Sequence, residues 1–214
     1  MHIQKATYLI SSPSVENCTA PDKPEYAFIG RSNVGKSSLI NTLCNNAKLA
    51  KTSASPGKTQ LINHFIIESA RPENEAGNKL IAEQWFLVDL PGYGFAKTSI
   101  SSRRRWEQMI ENYLRKRENL SQVFVLIDSR HRPQKIDLEF IGNLYKWQIA
   151  FSLVFTKSDK ENQRTVSKNV KDFLEALKAQ MQFLPRHFVS SAVKKTGREK
   201  ILGFIAETNG EAGM

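Results

Sequence analysis

The chain has 214 residues, 40% of them hydrophobic and 24% charged, which suits one folded domain and excludes a disordered tail. Its 31 Lys and Arg against 21 Asp and Glu leave a net charge of +10, a balance that attracts polyanions such as nucleic acid. No apolar run approaches the roughly 20 residues that span a bilayer, and two cysteines, Cys18 and Cys44, supply neither a disulfide framework nor a full zinc site.

Residues 1–23 carry weak patterns and lack the long apolar core of a signal peptide. They are expected to pack on a main domain spanning 24–207, in a reducing cytoplasm. A continuous apolar run at 26–29 reads as a buried strand, and 37–45 follows as a helix. The stretch 48–60 is rich in Ser, Thr, Lys and Gly and reads as a loop. The next strand, 61–67, alternates and carries Asn63 and His64, which places it nearer a sheet edge. Polar residues 70–79, with Pro72 and Gly77, read as a hairpin turn or insertion. Strands are then expected at 84–88, 123–127, 149–155 and 187–189, and helices at 103–116, 137–147, 166–178 and 198–207. The tail 208–214, with Asn209, Gly210 and Gly213, is expected to fray. Strand–helix alternation with two faces to cover implies an α/β fold: a doubly wound, mostly parallel six-stranded sheet with helices on both faces.

Gly30-Arg31-Ser32-Asn33-Val34-Gly35-Lys36-Ser37 fits G-x-x-x-x-G-K-[ST] at every fixed position, between an apolar strand and an apolar helix. Glycines let the backbone curl so that successive N–H groups face a triphosphate. The helix N-terminus adds partial positive charge. Lys36 then bridges the outer phosphates and the Ser37 hydroxyl ligates Mg²⁺. Asp89-Leu90-Pro91-Gly92 follows a strand directly. A carboxylate at such a strand end faces the crevice where these sheets bind ligands. Asp89 can hold the metal's shell through water, and the Gly92 N–H can meet the terminal phosphate. In Thr156-Lys157-Ser158-Asp159 the carboxylate can accept from guanine N1–H and N2–H₂, a donor pair that adenine lacks, while the Lys157 stem packs along the purine. In Ser190-Ser191-Ala192 small residues let main-chain N–H groups approach the base carbonyl.

In this order and spacing the motifs resemble the translation-factor-like P-loop GTPases with a Ras-like G domain. More closely, they resemble the EngB (YihA/YsxC-type) family of bacterial ribosome-assembly GTPases. The resemblance covers roughly 24–207. It rests on Gly30 through Ser38, Pro56-Gly57-Lys58-Thr59-Gln60, Asp89-Leu90-Pro91-Gly92-Tyr93-Gly94, Thr156 through Asp159, and Ser190 through Ala192. It implies GTP and GDP as ligands, with Ser38, Gly57 and Lys58 among the binding residues. Thr59 would be a switch threonine reaching Mg²⁺ and the terminal phosphate only in the triphosphate state. Lys36, Thr59 and Gly92 would act in catalysis.

The guanine motif begins with Thr156 where the wider superfamily has Asn, a form usual in this subfamily. A further departure is Tyr93, where other GTPases place a Gln that orients the attacking water. The chain should therefore hydrolyse GTP slowly, with help from a partner or from a K⁺ held beside the phosphates by Asn33. The resemblance also implies the large ribosomal subunit and its rRNA as partners, a role in cell division and septation, and a monomer. Most of the charge excess lies in 101–214, where Arg104, Arg105, Arg115 and Lys116 are expected on the solvated side of one helix. Lys194, Lys195, Arg198 and Lys200 form a second basic cluster, and His131-Arg132 sits in a loop. Two other readings share the phosphate loop: a nucleotide kinase, disfavoured by Thr156–Asp159, and an RNA-binding module that uses GTP as a structural ligand.

Overall fold

The structure, a computed structural model, describes residues 1–51, 61–72, 79–94 and 100–212. In chain order the elements are β1 (His2–Ser12), β2 (Glu25–Gly30), α1 (Lys36–Leu43), β3 (Ile62–Pro72), β4 (Leu80–Asp89), α2 (Ile100–Lys116), β5 (Leu120–Asp128), α3 (Lys135–Lys146), β6 (Phe151–Thr156), α4 (Gln163–Lys178), β7 (His187–Val189) and α5 (Arg198–Ala212). All seven strands join one sheet in the order β1-β3-β4-β2-β5-β6-β7. The pairs from β4 through β7 are parallel, while β1–β3 and β3–β4 are antiparallel.

Side-chain alternation divides the core into two layers, because successive strand residues face opposite ways. Ala27, Ile29, Phe86, Val88, Val123 and Val125 pack under α2, α3 and α4 with Tyr113, Ile141 and Phe173. Tyr26, Phe28, Trp85, Leu87, Phe124 and Leu126 face the other way, against Leu39 and Ile40 of α1 and Ile201 and Ile205 of α5. This two-sided burial explains why the central strands read as unbroken apolar runs. No described helix is long and apolar enough to cross a membrane. Cys18 and Cys44 are free thiols, and burial raises both above the usual thiol range.

Two sequence expectations need correction. The sheet has seven strands, because His2–Ser12 is a strand along the full length of β3. It covers β3, which is second from that edge of the sheet, near the edge as its alternation implied. Tyr8, Leu9 and Ile10 are all exposed, so this edge strand shows none of the burial periodicity that would have announced it. At the other end, α5 continues to Ala212, past the point where fraying was expected. Asn209 is buried and its Oδ1 accepts from the Tyr26 hydroxyl at 2.5 Å, which ties that last turn to β2.

Candidate nucleotide site

The carboxyl ends of the parallel strands lie along one edge of the sheet. There β2 ends at Gly30, β4 at Asp89, β5 at Asp128, β6 at Thr156 and β7 at Val189. From β2 the chain passes to the β4 side and later returns to β5 on the other, so the strand order switches at Gly30. In such sheets that crevice receives the ligand.

The loop after β2 is shaped by backbone conformations that few residues adopt. Asn33 has φ 62° and Gly35 φ 99°. The first bond of α1 runs from the Leu39 N–H to the Gly35 carbonyl at 2.9 Å, so the preceding N–H groups point out of the helix end, where an anion is favoured. Lys36 is ion-paired with the Asp89 carboxylate. Ser37 is half-buried one residue further on, and Ser38 is exposed. Gly30 is enclosed: a Cβ there would meet the Leu126 carbonyl oxygen at 2.8 Å. At Gly92 a Cβ would lie 2.7 Å from the Gly30 oxygen, so the segment after Asp89 rests directly on the phosphate-type loop.

A second loop locks onto the first. The Thr156 hydroxyl donates to the Val34 carbonyl at 2.6 Å. Lys157, itself at φ 59°, donates to the Asn33 carbonyl and to Asp128 Oδ2 at 2.9 Å. Arg130 grips the same carboxylate with two bonds of 2.9 and 2.8 Å. Burial pulls Asp128 up, but the Arg130 and Lys157 bonds outweigh it and hold its carboxyl well below the ordinary range. Asp128 was missed in the sequence, although it ends a parallel strand just as Asp89 does and the same rule could have found it.

A third loop carries the small residues. The Ser158 N–H donates to the Ser190 carbonyl at 3.1 Å, and the Ser191 hydroxyl donates to Asp159 Oδ1 at 2.6 Å. That hydroxyl bond lowers the Asp159 pKa, so the group stays an ionised acceptor. The Ala192 carbonyl accepts from the Thr42 hydroxyl of α1 at 3.4 Å. Arg198, expected on a basic surface, is instead turned inward. Its guanidinium donates to the Thr42 and Leu43 carbonyls at 3.0 and 2.9 Å and so caps the end of α1.

Gly30 through Ser38, Asp89, Gly92, Thr156, Lys157, Asp159 and Ser190 through Ala192 thus share one connected edge. Gly57, Lys58 and Thr59 lie outside the described residues. The arrangement offers N–H groups and a lysine for phosphates, a strand-end carboxylate paired with that lysine and, one residue on, a half-buried serine hydroxyl for a hydrated cation, and a separate ionised carboxylate for a partner with adjacent N–H donors.

The family profile described as "50S ribosome-binding GTPase" matches residues 25–157. "Probable GTP-binding protein EngB" of Phocaeicola vulgatus is 48% identical over 209 residues, covering 98% of each chain. The chain belongs to the EngB family of GTP-binding proteins. The EngB protein of Flavobacterium psychrophilum is 50% identical over 98% of this chain and 96% of its own. Among solved structures, one titled as a probable EngB superposes with a TM-score of 0.62 at 23% identity, covering 87% of this chain and 99% of that one. The elongation factor SelB of Methanococcus maripaludis superposes at 0.58, covering 87% of this chain and 33% of its own. These two likenesses establish the P-loop GTPase fold. Tyr93 of this EngB chain is 7% exposed, stacks on Phe140 at 4.3 Å and 15°, and donates to Asp137 Oδ1 at 2.8 Å. Burial pushes its phenol well above the usual range.

Proposed function

We propose that this chain is a Mg²⁺-dependent GTPase switch that acts in assembly of the large ribosomal subunit, and through it supports cell division and septation. The observation that carries the nucleotide assignment is the convergence of Lys36, Asp89 and Asp159 on one sheet edge, each held by a different loop. In this reading the N–H groups of residues 30–38 and Lys36 bind the phosphates, with Gly57 and Lys58 also among the binding residues. Asp159 accepts from guanine, Lys157 packs along the base, and the Ala192 N–H faces its carbonyl; the N–H groups of Ser190 and Ser191, expected to do the same, donate instead to the Phe155 and Thr196 carbonyls. The buried strand-end carboxylate of Asp89 and the Ser37 hydroxyl fit a hydrated Mg²⁺, with Thr59 joining in the triphosphate state. When bound, Mg²⁺ neutralises charge on the outer phosphates. Lys36 would then exchange Asp89 for phosphate oxygens, and the Gly92 N–H would meet the terminal phosphate.

Tyr93 is turned into the core and does not orient a water, which supports a slow intrinsic rate. The same observation favours the second reading, an RNA- or ribosome-binding module for which GTP is mainly a structural ligand. An arginine supplied to such a transition state is worth about 10³–10⁵ in rate. A partner, or K⁺ held by Asn33, would supply the equivalent. Turnover of GTP and ATP, with and without large-subunit particles in matched NaCl and KCl, tests this. Slow GTP-selective turnover that rises at least tenfold with particles or K⁺ is expected. Equal rates in all arms would leave the binding-module reading, and ATP preference would overturn both.

The partner surface is assigned to α2, which directly follows the Asp89 segment. Trp106, Met109, Ile110, Tyr113 and Leu114 face the protein, while Arg104, Arg105, Arg115 and Lys116 are exposed. Arg104, Arg105 and Lys116 make no ion pair within 4.0 Å among the described residues, and Arg115 pairs with Glu111 at 2.8 Å. Replacing all four with Ala should weaken binding to ribosomal particles and flatten its salt dependence while leaving nucleotide affinity intact. Particle sedimentation across a salt series reads this; unchanged sedimentation would move the RNA surface elsewhere. The protein is proposed to act as a cytoplasmic monomer.

A further inference from the structure

Tyr93 and Gly94 stand where the chain leaves the sheet edge toward α2, and both lie against α3, Tyr93 buried and Gly94 still exposed on one side. Three contacts do this. The Tyr93 hydroxyl donates to Asp137 and the ring stacks on Phe140. Gly94, at φ 78°, leaves so little room that a Cβ would meet Ile136 Cδ1 at 2.6 Å. The phosphate-type loop reaches the same place: Arg31 Nη1 lies 3.8 Å from Asp137 Oδ2, and Arg31 forms an isolated parallel β-bridge with Tyr93. One buried carboxylate therefore faces two residues from neighbouring segments, the loop after β2 and the segment after β4. Asp137 is 3% exposed and its two oxygens are divided between them, Oδ1 to Tyr93 and Oδ2 to Arg31. Gly92, between these anchors, rests against the Gly30 oxygen.

We propose that Asp137 is a positioning residue for the triphosphate state: through Tyr93 and Arg31 it pre-sets the backbone of Gly92 where its N–H meets the terminal phosphate. The proposal rests on the GTPase-switch reading. It assigns Tyr93 a task other than the water-orienting one, since a phenol bolted to α3 fixes the residue before it. It also makes α3 the element that registers whether the terminal phosphate is held, because any shift of Gly92 pulls on Asp137 and Phe140. GDP, which lacks that phosphate, gains nothing from the lock, so the effect separates the two nucleotides.

Tyr93→Phe keeps the ring and the stack and removes only the donor. Asp137→Asn keeps the volume and removes the charge that Arg31 faces. In calorimetric titrations of the full chain with Mg²⁺, each variant should bind a non-hydrolysable GTP analogue about tenfold more weakly than the parent, the loss typical of one buried hydrogen bond to a charged group. GDP affinity should stay within twofold. The double variant should lose less than the sum of the two single ones, because both changes act on the one Tyr93–Asp137–Arg31 cluster. A purely structural role predicts equal losses for both nucleotides alongside a lowered melting temperature of the GDP-bound protein, and that result would overturn the proposal, as would an unchanged ratio. If the parent chain binds neither nucleotide, the switch reading itself falls.

Discussion

Asp159→Asn should lower GDP affinity on the order of a thousandfold and bring it close to that for ADP. The parent carboxylate is kept ionised by the Ser191 hydroxyl and offers acceptors only. Asparagine turns an NH₂ group toward guanine's N1–H and N2–H₂, so two charge-assisted bonds, each worth about 1.5–3 kcal/mol, are lost and donor faces donor. Adenine presents an acceptor at N1, which an amide N–H can satisfy, so discrimination narrows from both sides. Ser191 can still donate to the amide oxygen, so the loop fold should persist. Titration calorimetry with GDP and ADP measures the ratio. A variant that keeps GDP affinity within threefold of the parent would remove Asp159 from base recognition.

Glu25→Gln should destabilise the fold by about 3–5 kcal/mol, the usual cost of breaking a buried ion pair from one side. Glu25 and His64 are both 0% exposed. The Arg117 guanidinium reaches Glu25 with bonds of 2.9 and 2.7 Å, Tyr113 donates to the same carboxylate, and His64 Nε2 lies 3.3 Å away without hydrogen-bond geometry. Arg117 also donates to the Thr19 carbonyl at 2.8 Å, which anchors the chain between β1 and β2. Burial alone would raise the Glu25 carboxyl, but its neighbours, His64 and Arg117 foremost, pull it from 4.5 to about 2. The folded pKa lies below the unfolded one, so the contribution is complete above pH 4.5 and is lost as pH falls toward 2. Guanidinium melts of both proteins at neutral pH and in that acid window should show a wide gap that narrows as the pH drops. A gap that is small at neutral pH, or constant with pH, would contradict this account.

The parallel half of the molecule was legible because physics writes it into short patterns. Val123 through Ile127 could only be a strand covered on both faces, and the glycine–lysine spacing at 30–37 needs one backbone shape. β1 was not legible, since an edge strand with Tyr8, Leu9 and Ile10 exposed has no periodicity to detect. Within the site, the sequence singled out residues by the chemistry of their own side chains, and missed the residues that hold those side chains in place. Asp137 looks like any acidic residue in a helix's first turn, a position the helix dipole favours anyway. Arg198 looks like surface charge, because the carbonyls it caps are more than 150 positions earlier in the chain. Tyr93 showed only that a glutamine was missing; its ring's direction depended on Phe140, which no local pattern connects to it.

The placement of β1 also bears on how the molecule is made. Translation delivers the amino end first, at roughly 5–20 residues per second. The strand β1 pairs with, β3, is synthesised only after β2 and α1. For a few seconds the nascent chain therefore carries β1 without β3, and the sheet closes on that side only after later segments have formed.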